Sequence, residues 1–330
     1  MTEAIAVLGA GSWGTALAIQ LARNDLDVRL WGHDAAHVQR LAELRENLDY
    51  LPGFELAANI TPLDSLGAAV EGCSFVLIAI PSKGFRGLLQ DLKPMVGNDV
   101  ALFWASKGFE IDTGLLLHEV IEQELPGHRY GVISGPTFAS EVARGMPAAL
   151  ACAGNDEATT EAFAERLRTQ HFRVYTTPDI VGVELGGALK NVLAIAVGVA
   201  DGLGFGANTR AALMTRGLAE IMRLGTSLGA RPETLMGLAG LGDIILTCTD
   251  NQSRNRRFGL AIGEGKTVSE AEIEVKQTVE GLRAAKAIYN KARQMQLDTP
   301  IINEVYCLLY QNKNPMDAVR DLENRPQGHE

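Results

Sequence analysis

Ala4-Ile5-Ala6-Val7-Leu8-Gly9-Ala10-Gly11-Ser12-Trp13-Gly14-Thr15-Ala16-Leu17-Ala18-Ile19-Gln20-Leu21 is the stretch that decides the fold. An apolar strand runs into a G-x-G-x-x-G turn, and an amphipathic helical pattern follows at once. Gly9 permits the tight turn, Gly11 lets backbone approach a pyrophosphate, and Gly14 lets the helix pack closely on the strand. The helix N-terminus turns its amides and dipole toward the anion. The motif alone is weak, but a strand before it and a helix after it favour a dinucleotide site over an ordinary glycine turn.

Working outward, strand-like and helix-like segments alternate up to about residue 178, the pattern of a parallel sheet covered by helices. Strands are expected over 28–31, 75–80, 100–105, 130–134, 148–153 and 172–176, and helices over 35–45, 88–95, 114–124 and 157–169. After Thr177-Pro178-Asp179 the strands stop, and helices are expected over 181–201, 209–228, 254–262, 279–294 and 300–309. The chain therefore reads as α/β: a Rossmann-like doubly wound dinucleotide-binding domain, 1–178, followed by an all-helical substrate and catalytic domain, 179–330. Ligands of such sheets bind beyond the carboxyl ends of the strands, where the second domain is expected to close and supply substrate groups. No repeat or low-complexity segment stands out, and only the polar tail after Leu322 reads as disordered.

A length of 330 residues suits two ordinary domains, and 46% hydrophobic with 21% charged residues is ordinary globular composition. The net charge of −10 repels polyanions, so a general nucleic-acid or acidic-membrane surface is not expected and any anion needs a local basic site. Cys73, Cys152, Cys248 and Cys307 are scattered singly, which suggests neither a disulfide framework nor a zinc site. The apolar N-terminus lacks a basic region ahead of it, unlike a secretory signal, and the run 192–200 is too short to cross a bilayer.

Four segments carry residues that chemistry could use. In the nearly all-apolar helix VELGGALKNVLAIAVGVADG, Lys190 and Asn191 need a reason; Lys190, Ala194, Val197 and Asp201 share one stripe, a small-residue face with room for a ligand. A lysine snorkelling to solvent is the alternative. Lys107, in Ala105-Ser106-Lys107-Gly108, follows a strand where the cofactor edge is expected, or is a surface-turn lysine. Ser134-Gly135-Pro136-Thr137-Phe138-Ala139 offers backbone amides and a hydroxyl, or simply caps a helix. The segment 237–257 joins a glycine-rich turn with Asp243 to Arg254, Arg256 and Arg257, where Arg254 at a helix start could hold a phosphate bidentately; a solvated basic loop is the alternative.

Taken in order, GAGSWGTALA at 9–18, ASKG at 105–108, SGPTFASEVARGMP at 134–147, ELGGALKNVLAIAVGVADGLGFGANTRAALMTRG at 184–217, GLGDIILTCTDNQSRNRRFG at 240–259 and VEG at 279–281 closely resemble the bacterial NAD(P)-dependent glycerol-3-phosphate dehydrogenases over nearly the whole chain. The resemblance implies reversible reduction of dihydroxyacetone phosphate to sn-glycerol 3-phosphate, a precursor of phospholipids, by a cytoplasmic homodimer without a metal. It makes Lys190 the proton acceptor in oxidation, with Lys107 and Asp243 beside it. It places substrate on Lys107, Gly135, Thr137, Asn191, Asp243, Thr247, Ser253, Arg254 and Asn255. It places the nucleotide on Gly9, Gly11, Ser12, Trp13, Gly14, His33, Lys107, Ala139, Arg254, Thr278 and Glu280.

The second strand ends Leu30-Trp31-Gly32-His33-Asp34, without the acid that favours NAD by accepting ribose hydroxyls. NADPH is therefore expected to be preferred, with NADH accepted, and Asp34 to cap the next helix. A related two-domain reductase of hydroxy acids or imines has little use for a phosphate-holding loop. A non-catalytic NADPH sensor has little use for Lys190, Lys107 and Asp243.

Overall fold

Val7, Leu8, Val76, Leu77, Ile78, Leu102, Phe103 and Trp104 are all fully buried, as continuous apolar runs are when both faces of a sheet are covered. The computed structural model describes residues 3–275 and 279–326. Two units divide the chain, Met1–Glu110 with Leu115–Glu184 and Ile111–Gly114 with Leu185–Glu330.

The first unit begins β1 (Ala4–Leu8), α1 (Ser12–Ala22), β2 (Asp27–Trp31), α2 (Ala35–Leu44), β3 (Glu46–Asn47), β4 (Leu51–Glu55), β5 (Ile60–Leu63) and α3 (Leu66–Val70). It continues β6 (Phe75–Ile78), α4 (Phe85–Leu92), β7 (Ala101–Trp104), α5 (Leu117–Glu124), β8 (Tyr130–Ser134), α6 (Ala139–Arg144), β9 (Ala148–Gly154), α7 (Glu157–Leu167) and β10 (Phe172–Thr177). The main sheet has the order β10-β9-β8-β7-β6-β1-β2-β5. From β1 the chain winds outward through β2 to β5, then returns to β6 on the other side of β1. That reversal opens a crevice at the carboxyl end of β1, where the glycine turn lies.

Three expectations are corrected. The sheet is not wholly parallel, because β9 runs against β8; the six-residue α6 is only about 9 Å long and cannot carry the chain back along the strand. Helix α1 is not amphipathic, since every residue from Gly14 to Ala22 is buried. Between α2 and α3 the hairpin β3–β4 and the strand β5 were not expected, because Pro52, Gly53 and Pro62 mimic turn signals.

The second unit takes most of α8 (Ile180–Gly202), then α9 (Ala207–Ser227), α10 (Pro232–Leu235), α11 (Asp243–Thr249), α12 (Arg254–Gly263), α13 (Val268–Val275), α14 (Glu280–Gln294), α15 (Pro300–Tyr310) and α16 (Pro315–Glu323). The apolar run 192–200 belongs to a helix of 23 residues, long enough by length and composition to cross a membrane, yet mostly buried in the protein. Glu220 fixes α9 to α15: its carboxylate accepts the N–H groups of Ile301 at 2.8 Å and Ile302 at 3.1 Å. Burial pushes this carboxyl up to about 7 against those donors. The chain after Leu322 is ordered further than expected, with Arg325 pairing with Asp298 at 2.7 Å.

A buried pair in the first unit gives a pH-dependent contribution. The backbone N–H of His118 donates to Glu184 Oε1 at 3.1 Å, and His118 Nδ1 lies 2.5 Å from Oε2. Burial raises the Glu184 carboxyl above its usual range. For His118 burial is the largest influence and lowers the pKa, but the hydrogen bond and charge of Glu184, with Glu119 and Glu122, outweigh it and the net shift is upward. A raised folded pKa means the stabilisation is full below the ordinary imidazole value of about 6.5 and fades as pH rises through the folded value. His118→Ala/Glu184→Gln, in which neither group titrates, is therefore expected to lose more stability relative to the parent at about pH 6 than at about pH 9. Thermal unfolding from about pH 6 to about pH 9 checks this; a loss that does not change with pH contradicts it.

Candidate active site

The glycine turn is built by close contact. Gly9 sits at φ +126°, and a Cβ on it would meet Ala79 O at 2.5 Å. A Cβ on Gly14 would fall 1.8 Å from Gly9 O, so only glycine lets α1 start so close to β1. Nothing lies within 4 Å of a Cβ on Gly11, which leaves the turn open to an approaching group. Helix α1 has neither a side-chain cap nor an acid in its first turn, so the amides at Ser12, Trp13 and Gly14 can receive an anion.

Residues with no motif signal hold this turn in place. Asn47 Nδ2 donates to Ala10 O at 2.9 Å and Thr15 Oγ1 at 2.7 Å, and His37 Nε2 lies 3.3 Å from the same carbonyl. Ser12 Oγ donates to Tyr50 O at 2.6 Å, and the exposed Tyr50 ring meets His37 edge-on at 5.2 Å. At the end of β2, His33 is exposed. Asp34 caps α2 as expected, accepting the N–H groups of Ala36 and His37. A Cβ on Gly32 would meet Val38 Cγ2 at 2.8 Å, so that position has no room for an acid.

The carboxyl ends of β7 and β8 carry the other candidates of this unit. Ser106 Oγ donates to Ile80 O at 2.5 Å, and the half-buried Lys107 follows it. Gly135 packs against Leu150, whose Cα would lie 2.7 Å from a Cβ there. Thr137 Oγ1 donates to Gly135 O at 3.2 Å, and Ala139 opens α6.

In the second unit, Lys190 stands in the middle of α8 with its side chain only 11% exposed, so it does not snorkel to solvent. Its ammonium donates to Asp243 Oδ1, which also accepts Thr247 Oγ1 at 3.3 Å. The pair meets because backbone touches backbone beside it: a Cβ on Gly186 would lie 2.4 Å from Ala239 O. Ala239 lies in a π-helical turn, Leu238–Gly242, that leads into α11 at Asp243. An ammonium held on a buried carboxylate is a proton source at a fixed place.

Beyond Lys190 the expected ligand face is closed. Ala194 and Val197 are fully buried, and Asp201 is engaged by Arg210 and Arg256. The three arginines likewise part company: Arg256 is buried, Arg257 is exposed, and Arg254 is half-buried. Arg254 is the first residue of α12, after the N-cap Ser253, whose Oγ accepts Arg256 N–H at 3.2 Å. Among the described residues its guanidinium has no hydrogen-bond or ion-pair partner, unlike that of Arg256.

Asn191 and Asn255 face each other inside the unit. Asn255 Nδ2 donates to Asn191 Oδ1 at 2.9 Å, its Oδ1 accepts Gly281 N–H at 2.9 Å, and Asn191 Nδ2 reaches Glu280 Oε2 at 3.5 Å. These amides join α8 and α12 to the start of α14. Thr278 lies outside the described residues.

Comparison with known proteins places the chain. Residues 4–160 match the N-terminal family profile of NAD-dependent glycerol-3-phosphate dehydrogenase, and residues 179–320 match its C-terminal profile. A glycerol-3-phosphate dehydrogenase (NAD(P)+) of Thioalkalivibrio sulfidiphilus is 50% identical over 325 residues, covering 98% of this chain and 97% of its own. One from Photobacterium profundum is 48% identical over 329 residues, with 98% and 96% covered. The crystal structure of glycerol-3-phosphate dehydrogenase from Coxiella burnetii superposes with a TM-score of 0.95 at 44% identity, over 98% of this chain and 99% of that one. With both halves of the chain matched and this identity sustained end to end, the chain belongs to the NAD-dependent glycerol-3-phosphate dehydrogenase family.

Proposed function

We infer that Lys190, held on Asp243, handles the proton at the substrate oxygen while Arg254 holds the phosphate. The chain is an oxidoreductase that interconverts dihydroxyacetone phosphate and sn-glycerol 3-phosphate with NAD(P)H, a reaction that supplies glycerol phosphate for phospholipids. The observation that carries the residue assignment is the Lys190–Asp243 pair, with Lys190 set in the middle of a mostly apolar helix.

Gly9, Gly11, Ser12, Trp13 and Gly14 would cradle the pyrophosphate, with His33, Lys107, Ala139, Arg254 and Glu280 toward other parts of the nucleotide. When bound, the nicotinamide supplies the hydride in reduction and accepts it in oxidation. Negative charge grows on the carbonyl oxygen as the ketone is reduced, and a positioned donor must meet it. Lys190 gives its proton to that oxygen, and in oxidation takes it back from the hydroxyl. Asp243, to which Thr247 also donates, keeps the ammonium in place. Lys107 would stabilise the oxyanion electrostatically. Ser253, Arg254 and Asn255 would hold the phosphate, so that binding energy from the unreactive end positions the carbonyl. Phosphorus NMR tests the reading: with excess NADPH, the dihydroxyacetone phosphate signal should be replaced by that of glycerol 3-phosphate, and persistence of the ketone ester would contradict it. The same reading takes the protein as a cytoplasmic homodimer, and the molar mass by light scattering would check the dimer.

Cofactor choice follows from the end of β2. Gly32 puts no acid at the strand end and Asp34 turns its carboxylate to its cap, which supports a place for a 2′-phosphate with His33 donating to it. NADPH is expected to have the higher kcat/KM, with NADH accepted. His33→Ala should narrow the gap; a preference for NADH that persists in this variant would remove His33 from the role.

A further inference from the structure

Helices α8 and α12 touch through glycines on both sides. A Cβ on Gly198 would lie 2.2 Å from Arg256 O, on Gly202 2.3 Å from Leu260 O, on Gly259 2.2 Å from Ile195 O, and on Gly263 2.3 Å from Val199 O. Helices normally fix their axial offset by side-chain ridges seated in grooves, and this contact has smooth glycine faces instead. The glycines bring the backbones close and settle which turns meet, since a slip by a whole residue would set a Cβ against a carbonyl, and the finer offset is left to polar contacts across the seam. That offset matters, because α8 carries Lys190 and the first turn of α12 carries Arg254.

One buried contact spans the same seam. Arg256, its side chain 9% exposed, donates from one terminal nitrogen to Asp201 Oδ2 at 2.5 Å, and from the other to Asn251 Oδ1 in the turn before Ser253. Asp201, 8% exposed, also accepts Arg210 of α9 at 3.0 Å and 3.3 Å. Among the described residues Arg256 Nε is buried without a partner, so the guanidinium is oriented by these two acceptors. A planar guanidinium can hold two acceptors in a fixed fork, which a lysine cannot.

We propose that Arg256 and Asp201 form a positioning pair that sets the offset of α12 along α8, and so the span between the phosphate-holding residues and Lys190. Asp201 stands about 16 Å along the helix axis from Lys190 at 1.5 Å per residue. Arg256 neither touches the reacting atoms nor holds the phosphate; it places Arg254. The proposal rests on the reading of Arg254 as phosphate anchor and of Lys190 as proton donor.

The test compares kcat/KM for dihydroxyacetone phosphate with that for unphosphorylated dihydroxyacetone in Arg256→Lys, Asp201→Asn and Arg254→Ala. Misplacing the anchor by about 1 Å can cost on the order of 100-fold. Arg256→Lys and Asp201→Asn are expected to lose about 10- to 100-fold with the phosphorylated ketone and little with dihydroxyacetone. The ratio between the substrates should collapse, with the loss shared between higher KM and lower kcat. Asp201→Asn keeps an acceptor for one arginine and guards against a fold lost in the other variant; circular dichroism confirms both are folded. If both variants lower the two activities in equal proportion while Arg254→Ala collapses the ratio, the pair is merely structural and the proposal fails while the anchor reading stands. If Arg254→Ala leaves the ratio unchanged, the anchor reading falls and the proposal with it.

Discussion

Lys190→Ala is expected to lose roughly 100- to 10,000-fold in turnover while binding NADPH about as tightly as the parent enzyme. The lysine sits on α8 against Asp243, in the unit that carries no part of the glycine turn, so its removal should spare the nucleotide. It also strips a buried carboxylate of its partner, and breaking such a pair costs about 3–5 kcal/mol of stability. Lost folding could imitate lost chemistry. The double variant Lys190→Ala/Asp243→Ala separates them: removing both charges should recover much of the stability and none of the turnover. Single-variant turnover near that of the parent would remove Lys190 from its assigned role.

Arg254→Ala is expected to weaken kcat/KM for dihydroxyacetone phosphate by about 10- to 150-fold, because a charge-assisted hydrogen bond of this kind contributes roughly 1.5–3 kcal/mol. Dihydroxyacetone has no phosphate to lose, so its slower reduction should fall far less, by only what Arg254 gives the nucleotide. The expectation draws on the contrast within α12, where Arg256 is committed to Asp201 and Asn251 while Arg254 has no partner among the described residues. Equal losses with both ketones would make the arginine structural or a cofactor residue only.

The parts of the fold legible in the sequence are those set by local chemistry. A strand, a glycine turn and a helix announce themselves because steric contact at Gly9 and Gly14 tolerates no side chain, and Asp34 before α2 is a cap by residue type and place. Lys190 stood out because an ammonium inside an apolar helix needs a partner, though its spacing gave no hint that the partner would be Asp243. The direction of β9 was hidden, since a buried strand shows the same residue pattern whichever way it runs. Arg256 was hidden too: three arginines in a polar loop look solvated, and only packing of α12 against α8 buries the middle one. The hub of Asn191, Asn255 and Gly281 joins three helices far apart in sequence, which no local pattern encodes.

Steady-state NADPH oxidation with dihydroxyacetone phosphate and dihydroxyacetone side by side tests most directly whether a phosphate anchor positions the carbonyl for the lysine. The expected result is kcat/KM higher by at least about 10- to 150-fold for the phosphorylated ketone, the share of Arg254 alone. Equal kcat/KM for the two ketones would contradict it.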